Sequence, residues 1–237
     1  MSNKFLFFPI FGIALPVVLY FIFSDIRQVF EIVVPPVGDV AIETDPTRTV
    51  SIEKKSEKIV FVGDVLLARH VEFLLDTKPE FNPFKEVGAI FLDAPHVIGN
   101  FESAILESHK QTPSYVTIFS VDQKYLPRLR EAGFTHLSLA NNHSFDYGAE
   151  TFSYTTKALK NTGLVPFGHP NLVATTSATF FTSGDYTIGL LAINQIFTPM
   201  SLTDITTQLK ALSLVSDYKI AYVHWGRSEE RRGGKEC

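Results

Sequence analysis

Cysteine is all but missing from this chain: the only one, Cys237, is its last residue. A disulfide framework is thereby excluded, and so is a thiol nucleophile anywhere in the body of the sequence. Glycine loops of the GxGxxG or Walker type are also missing, which removes the usual sequence devices for cradling nucleotide phosphates. Charge is sparse, 19% of residues with a formal net of −4, so there is no basic surface of the kind that binds nucleic acid. What remains is a chain of 237 residues that is 45% hydrophobic. That is enough for one α/β domain of ordinary size beside a membrane segment.

The membrane segment is expected first. Phe5 to Phe23, "FLFFPIFGIALPVVLYFIF", is 19 residues without a charge. At about 1.5 Å per residue it would span roughly 28 Å, close to the hydrocarbon thickness of a bilayer. No small-x-small cleavage site follows between Ser24 and Gln28, so a retained anchor over residues 1–30 is expected rather than a cleaved signal. Pro9 and Pro16 are tolerated in membrane helices. Lys4 on the short side places the N-terminus in the cytoplasm and the rest outside, as a single-pass protein of a bacterial cell membrane. Residues 31–57, with Pro35-Pro36, Asp45-Pro46 and "EKKSEK", read as an extracytoplasmic linker because no apolar period recurs. At the far end, residues 227–237, "RSEERRGGKEC", show no apolar periodicity and closely resemble a translated sequencing adapter with one valine changed to glycine. The expectation is an artefactual tail on a domain cut near Gly226. The tail holds four basic and three acidic residues, so without it the charge moves from −4 to −5.

Between these ends, residues 58–226 read as βα repeats. "KIVFVG" ends at Asp64, "HVIGN" at Asn100, and "FTHLSLA" delivers Asn141-Asn142-His143. "TIGLLAIN" and "KIAYVHWG" follow, the last reaching His224. "VLLARHVEFLLDT" has apolar residues at helical spacing. Asp122 is placed to cap the helix "QKYLPRLREA", which Gly133 stops, and Gly163 stops another helix over 149–162. The polar residues therefore cluster at the C-terminal ends of strands. In open α/β sheets, ligands bind outside those ends. Asp64, Asn100 with Glu102, Asn142 with His143, and His224 are expected to share one pocket.

Carboxylate, amide oxygen and imidazole together suit hard or borderline divalent ions such as Mn²⁺, Mg²⁺ or Zn²⁺. Such ions clamp a phosphoryl group and lower the pKa of a bound water. Asp64 and Glu102 would supply negative charge, Asn142 an amide oxygen and His224 an imidazole, making these four the candidate metal ligands. His143 is placed to contact a phosphate or protonate a leaving oxygen. Arg69, together with Asn100 and Asn141, is a candidate for holding an anionic substrate.

The blocks "VGDVLLAR", "GNFESAI", "LANNHSFDYGAE" and "VHWG" resemble, in order and spacing, the capsule synthesis protein CapA family over about residues 58–226. That family is similar to the calcineurin-like metallophosphatases. The resemblance implies a four-layer α/β/β/α metallophosphatase-like sandwich and a membrane-attached role in poly-γ-glutamate capsule synthesis or export. The partners it implies are the capsule-polymer machinery and an anionic polymer or phosphoester substrate. Asp64 matches the first metal-binding aspartate, but Leu66 stands where metallophosphatases place a ligand histidine. Glu102 substitutes for a shorter aspartate. Asn142-His143 matches the Asn-His pair, with Ser144 where an acid is usual and Asp146 two positions later, so Asp146 joins His143 as a catalytic candidate. The closing Gly-x-His-x-His segment would fall after Gly226 and does not occur.

Simpler roles stay open for several of these residues. Asp64 would also serve as a helix cap, Asn141 and Asn142 as left-handed turn residues, His224 as a core histidine and Arg69 as an exposed helical arginine. His70, His96, His109, His136 and His169 have no partner that the sequence identifies. Two functions compete: a metal-dependent phosphoesterase-like protein, and a non-catalytic assembly component that guides an anionic γ-glutamyl polymer.

Overall fold

In the computed structural model the described residues are 29–33, 57–113, 115–171, 177–196 and 199–226. Phe5–Phe23 and the tail 227–237 lie outside them, as does most of the proposed linker. Among the described residues no helix is long and apolar enough to cross a membrane. The boundary drawn at residue 30 falls inside a strand, β1 (Val29–Val33).

The apolar runs fold as strands, but into two sheets. β2 (Lys58–Val65), β3 (His96–Phe101), β4 (His136–Ser138) and β5 (Val165–Phe167) are parallel in that order, and β1 closes the β2 edge antiparallel. The second sheet has β6 (Ala178–Ser183) antiparallel to β7 (Tyr186–Asn194) and β7 parallel to β8 (Tyr218–His224). The chain is thus a mixed α/β fold with a parallel sheet at its centre. His224 reaches the other strand ends from a separate sheet, a division that the strand-end argument by itself did not make.

Alternation along the strands decides which face meets which neighbour. Val60, Val97, Phe101, Leu137 and Leu139 pack towards the helices α1 (His70–Thr77), α2 (Gly88–Leu92), α3 (Leu126–Ala132) and α4 (Gly148–Asn161), through Leu75, Phe91, Leu129 and Leu159. The opposite face, Ile59, Phe61, Ile98, Ala140 and Phe167, meets Ile188, Leu190 and Ala192 of β7. On the far side of β7, Leu191 and Ile193 are covered by Leu209 and Leu212 of α5 (Leu202–Leu212). Both faces of β7 are therefore dry, which is why its sequence is an unbroken apolar run. Gly168 makes the close approach of the sheets possible: at φ +85°, a Cβ there would lie 2.8 Å from Ala192 Cβ and 2.9 Å from Ala140 Cβ.

Helix limits follow local chemistry. The Asp122 side chain accepts from the Lys124 amide at 2.9 Å and caps a short 3₁₀ turn, Gln123–Tyr125, that runs into α3. Gly133, at φ 109°, ends α3 in the left-handed conformation. α1 starts at His70, five residues later than its apolar spacing suggests, because β2 runs on to Val65. Arg69 precedes α1 with φ 61° and ψ −123°, so it is not a helical residue. Asp64 does not cap that helix.

Candidate functional site

A bulge in β2 aims the first acid. Phe61 pairs with Ile98 and Asp64 with Asn100, so three steps on β2 match two on β3. One extra residue reverses the facing of everything after it. Val62 and Val65 accordingly both lie on the helix side, against the position a Gly99 Cβ would occupy, and Asp64 turns to the face shared with the second sheet. The Tyr222 hydroxyl of β8 donates to the Val62 carbonyl at the bulge, tying the two sheets together two residues before His224. Burial, and then the charge of Asp64, push the Tyr222 phenol well above its ordinary range, so it stays a donor.

At the C-terminal mouth between the sheets the predicted residues meet. His224 Nδ1 lies 3.3 Å from Asp64 Oδ1, and its Nε2 lies 2.8 Å from Asn142 Oδ1 and 3.7 Å from Glu102 Oε1. Donor atoms of Asp64, Glu102 and His224 all fall within 4.8 Å of one another. Two donors bound at 2.0–2.2 Å to one ion stand roughly 3.0–3.5 Å apart. The spacing and the oxygen–nitrogen chemistry of this set therefore fit a divalent cation.

Beside it stands a second pair. His143 Nδ1 is 2.9 Å from Asp146 Oδ2, which also accepts from the Phe119 amide at 2.7 Å. Because Asp146 only accepts, Nδ1 carries the proton and Nε2 points into the mouth, 3.9 Å from Glu102 Oε1. The Phe119 ring packs on the imidazole at 4.1 Å between centroids, and Arg69 Cζ lies 5.6 Å from the same ring. Arg69 is thus at the rim rather than among the acids, on a backbone conformation that costs of order 1–3 kcal/mol outside glycine.

Asn100 and Asn141 converge with the others but not as substrate contacts. Both are buried, with relative exposures of 3% and 0%. Asn141 accepts from the amides of His143 and Ser144 at 2.9 and 2.8 Å, and donates to the Phe101 carbonyl and to Asn100 Oδ1 at 2.9 and 3.0 Å. Asn100 donates to Asp64 Oδ1 at 2.8 Å and lies 3.1 Å from His224 Nδ1. Their amides are committed to protein groups, so an anion finds no free donor there. The sequence reading had missed Phe119 and Tyr222, which carry no polar signal at a strand end. Trp225, directly after His224, is 77% exposed.

The model of the bacterial capsule synthesis protein family, PGA_cap, matches residues 58–236. The capsule biosynthesis protein CapA of Bacillus anthracis is 34% identical over 116 residues, 47% of this chain and 28% of that protein. The PGA biosynthesis protein CapA of Bacillus subtilis (strain 168) is 32% identical over 110 residues, 46% of this chain and 28% of that protein. The chain therefore spans under a third of the length of these curated relatives. Among solved structures, a phosphatase from Mycoplasma pneumoniae aligns with TM-score 0.45 and 17% identity, over 76% of this chain and 59% of that one. A hypothetical protein from Thermus thermophilus aligns with TM-score 0.45 and 18% identity, over 73% of this chain and 60% of that one. With the family match extending over most of its length, the chain belongs to the bacterial capsule synthesis protein family.

Proposed function

We propose that this protein is a membrane-anchored, CapA-like component of poly-γ-glutamate capsule synthesis or export, with a metal-dependent phosphoesterase-like site in a metallophosphatase-like fold. The observation that carries this reading is the convergence of Asp64, Glu102 and His224 within 4.8 Å, beside a His143–Asp146 pair. Asp64, Glu102, His224 and Asn142 would hold the ion, whose chemistry when bound is to polarise a phosphoryl oxygen and lower the pKa of water. His143, as an imidazolium with its Nδ1–H held by Asp146, would give its second proton from Nε2 to the leaving oxygen, and Arg69 would meet the substrate's anionic end at the rim. The capsule-polymer machinery is the proposed partner. A purely polymer-binding role is disfavoured by the same charges: Asp64, Glu102 and Asp146 share one mouth, and the Arg69 guanidinium stands only at its edge. An anionic chain would be repelled there without a cation.

The test is calorimetric titration of metal-stripped protein with Mn²⁺ and Zn²⁺. Binding is expected, and Asp64→Asn or His224→Ala should weaken it by at least the 10- to 100-fold typical of outer-shell changes. Equal affinity in wild type and both variants would sink the metal reading. The topology rests on the uncharged run Phe5–Phe23 and on Lys4. Reporter domains fused after residue 57 should be active only outside the cytoplasm, and activity confined to the cytoplasm refutes the orientation.

A further inference from the structure

The hydrogen bonds that bury Asn100 and Asn141 have a fixed direction, and it can be followed from groups that cannot reverse. The backbone amides of His143 and Ser144 only donate, so the Asn141 atom that meets them at 2.9 and 2.8 Å is its oxygen. The other end of that side chain is then its NH₂, which donates to the Phe101 carbonyl and to the Asn100 side chain. The Asn100 atom receiving this hydrogen is therefore oxygen, and its own NH₂ faces Asp64 Oδ1 at 2.8 Å and His224 Nδ1 at 3.1 Å. An NH₂ can only donate and has two hydrogens: one goes to Asp64 Oδ1, and the other faces His224 Nδ1, a contact that is a hydrogen bond only if Nδ1 offers a lone pair. The ring proton is left on Nε2, which donates to Asn142 Oδ1 at 2.8 Å.

We infer that Asn100 is a positioning residue that holds His224 as its Nε2–H tautomer and directs the Nδ1 lone pair towards Asp64. The relay starts at the amides of the loop that carries His143 and ends on the second sheet, so the polarity of one half of the site is imposed on the other. It also divides the tasks of the two groups flanking His224. Asp64 Oδ1 and Nδ1, 3.3 Å apart, form the pair open to a shared cation, which would displace the Asn100 hydrogen. Asn142, named above among the groups that would hold the ion, is on this tautomer instead the acceptor that orients the ring through its other nitrogen, as groups behind a ligating histidine do. Without the Asn100 NH₂ the balance reverses: the Asp64 carboxylate is a stronger acceptor than the Asn142 amide, so the proton moves to Nδ1. The consequence for ion binding rests on the metal reading above; the tautomer itself does not.

The experiment is long-range ¹H–¹⁵N correlation on metal-stripped, ¹⁵N-histidine-labelled full-length protein, with His224 assigned by the cross-peaks lost in His224→Gln. In wild type the Nε2–H pattern is expected, and an Nδ1–H pattern overturns the inference without any need for a folded variant. Asn100→Ala should move His224 to Nδ1–H and lower Zn²⁺ affinity about 10- to 100-fold. An unchanged Nε2–H pattern in a folded Asn100→Ala protein also overturns it. Loss of Zn²⁺ binding by wild type would refute the metal reading alone and leave the tautomer measurement standing.

Discussion

Truncating His109 to alanine should cost about 3 kcal/mol of stability at pH 7, a large share of the 5–15 kcal/mol typical of a domain. Glu72 on α1 is 1% exposed and His109, in the segment after β3, is 9% exposed by side chain. Glu72 Oε1 lies 2.8 Å from His109 Nε2, close enough to form an ion pair when the imidazole carries both protons. The same oxygen accepts from the Asp122 amide at 2.8 Å, while Oε2 has no hydrogen-bond partner among the described residues. Removing one member of a buried pair strands the other, at about 3–5 kcal/mol. Protonation sets a ceiling: from pH 7 to the ordinary glutamate value of 4.5 is 2.5 units, or about 3.4 kcal/mol at 1.36 per unit. Burial already raises the Glu72 carboxyl, and the Asp76 charge adds to it. The Asp122 amide and His109 oppose the rise, so losing His109 raises it further.

The sign of the pH dependence follows. A carboxyl raised on folding contributes stability that is full below its unfolded value and lost as pH climbs through its folded one. The deficit of His109→Ala should therefore be small near pH 4.5 and grow towards neutrality. In the double variant with Glu72→Gln, which keeps an acceptor for the Asp122 amide, it should be nearly flat. Urea midpoints from pH 4 to 8 measure this; a His109→Ala protein matching wild type at pH 7 contradicts it.

The sequence offered no route to that pair, because Glu72 and His109 are 37 positions apart and neither lies at a strand end. What it offered clearly were features with a local cause. β2, β3, β7 and β8 appear as apolar runs whose bounds agree within two residues; in β3, β7 and the first half of β2 burial on both faces leaves no room for polar alternation, whereas β8 alternates half-buried and exposed residues. Asp122 and Gly133 mark α3 because capping and left-handed φ are properties of single residues. The assignment of strands to two sheets was not legible from the residue pattern, which reports that a strand is buried and not which strand lies beside it; only the family resemblance implied two sheets. Nor was the bulge after Phe61, for which Gly63 is at most a hint, although it alone turns Asp64 towards His224. The meeting of Asp64, Glu102 and Asn142 was legible, because parallel strands bring their C-terminal ends to one edge; His224 joins them from the end of a strand in the second sheet. That Asn100 and Asn141 spend their amides on protein groups was not, since sequence gives residue type and not hydrogen-bond direction.

On the phosphoesterase-like reading, His143→Gln in metal-loaded protein should lower kcat on an aryl phosphoester by about 10²–10⁴-fold, the usual worth of a positioned proton donor. The geometry behind this is one-directional. Asp146 Oδ2 accepts a hydrogen bond from Nδ1–H at 2.9 Å, so only Nε2 faces the mouth, and its 3.9 Å separation from Glu102 Oε1 is too long for a hydrogen bond between them. A substrate oxygen can take that place. Phe119 holds the ring from the side through the 4.1 Å stacking contact, and its amide holds Asp146 at 2.7 Å, so one residue fixes both members of the pair. Asp146→Asn keeps the shape and the direction but not the charge. The Phe119 amide and Nδ1 meet the same oxygen, Oδ2, so asparagine keeps an acceptor for both but removes the carboxylate charge that would support a doubly protonated ring. That variant should lose much of the same rate while binding metal within about twofold of wild type, because neither His143 nor Asp146 is among the proposed ligands. A His143→Gln protein that retains kcat within about threefold, or one that loses rate only because it loses metal, would show that this imidazole is not the proton donor.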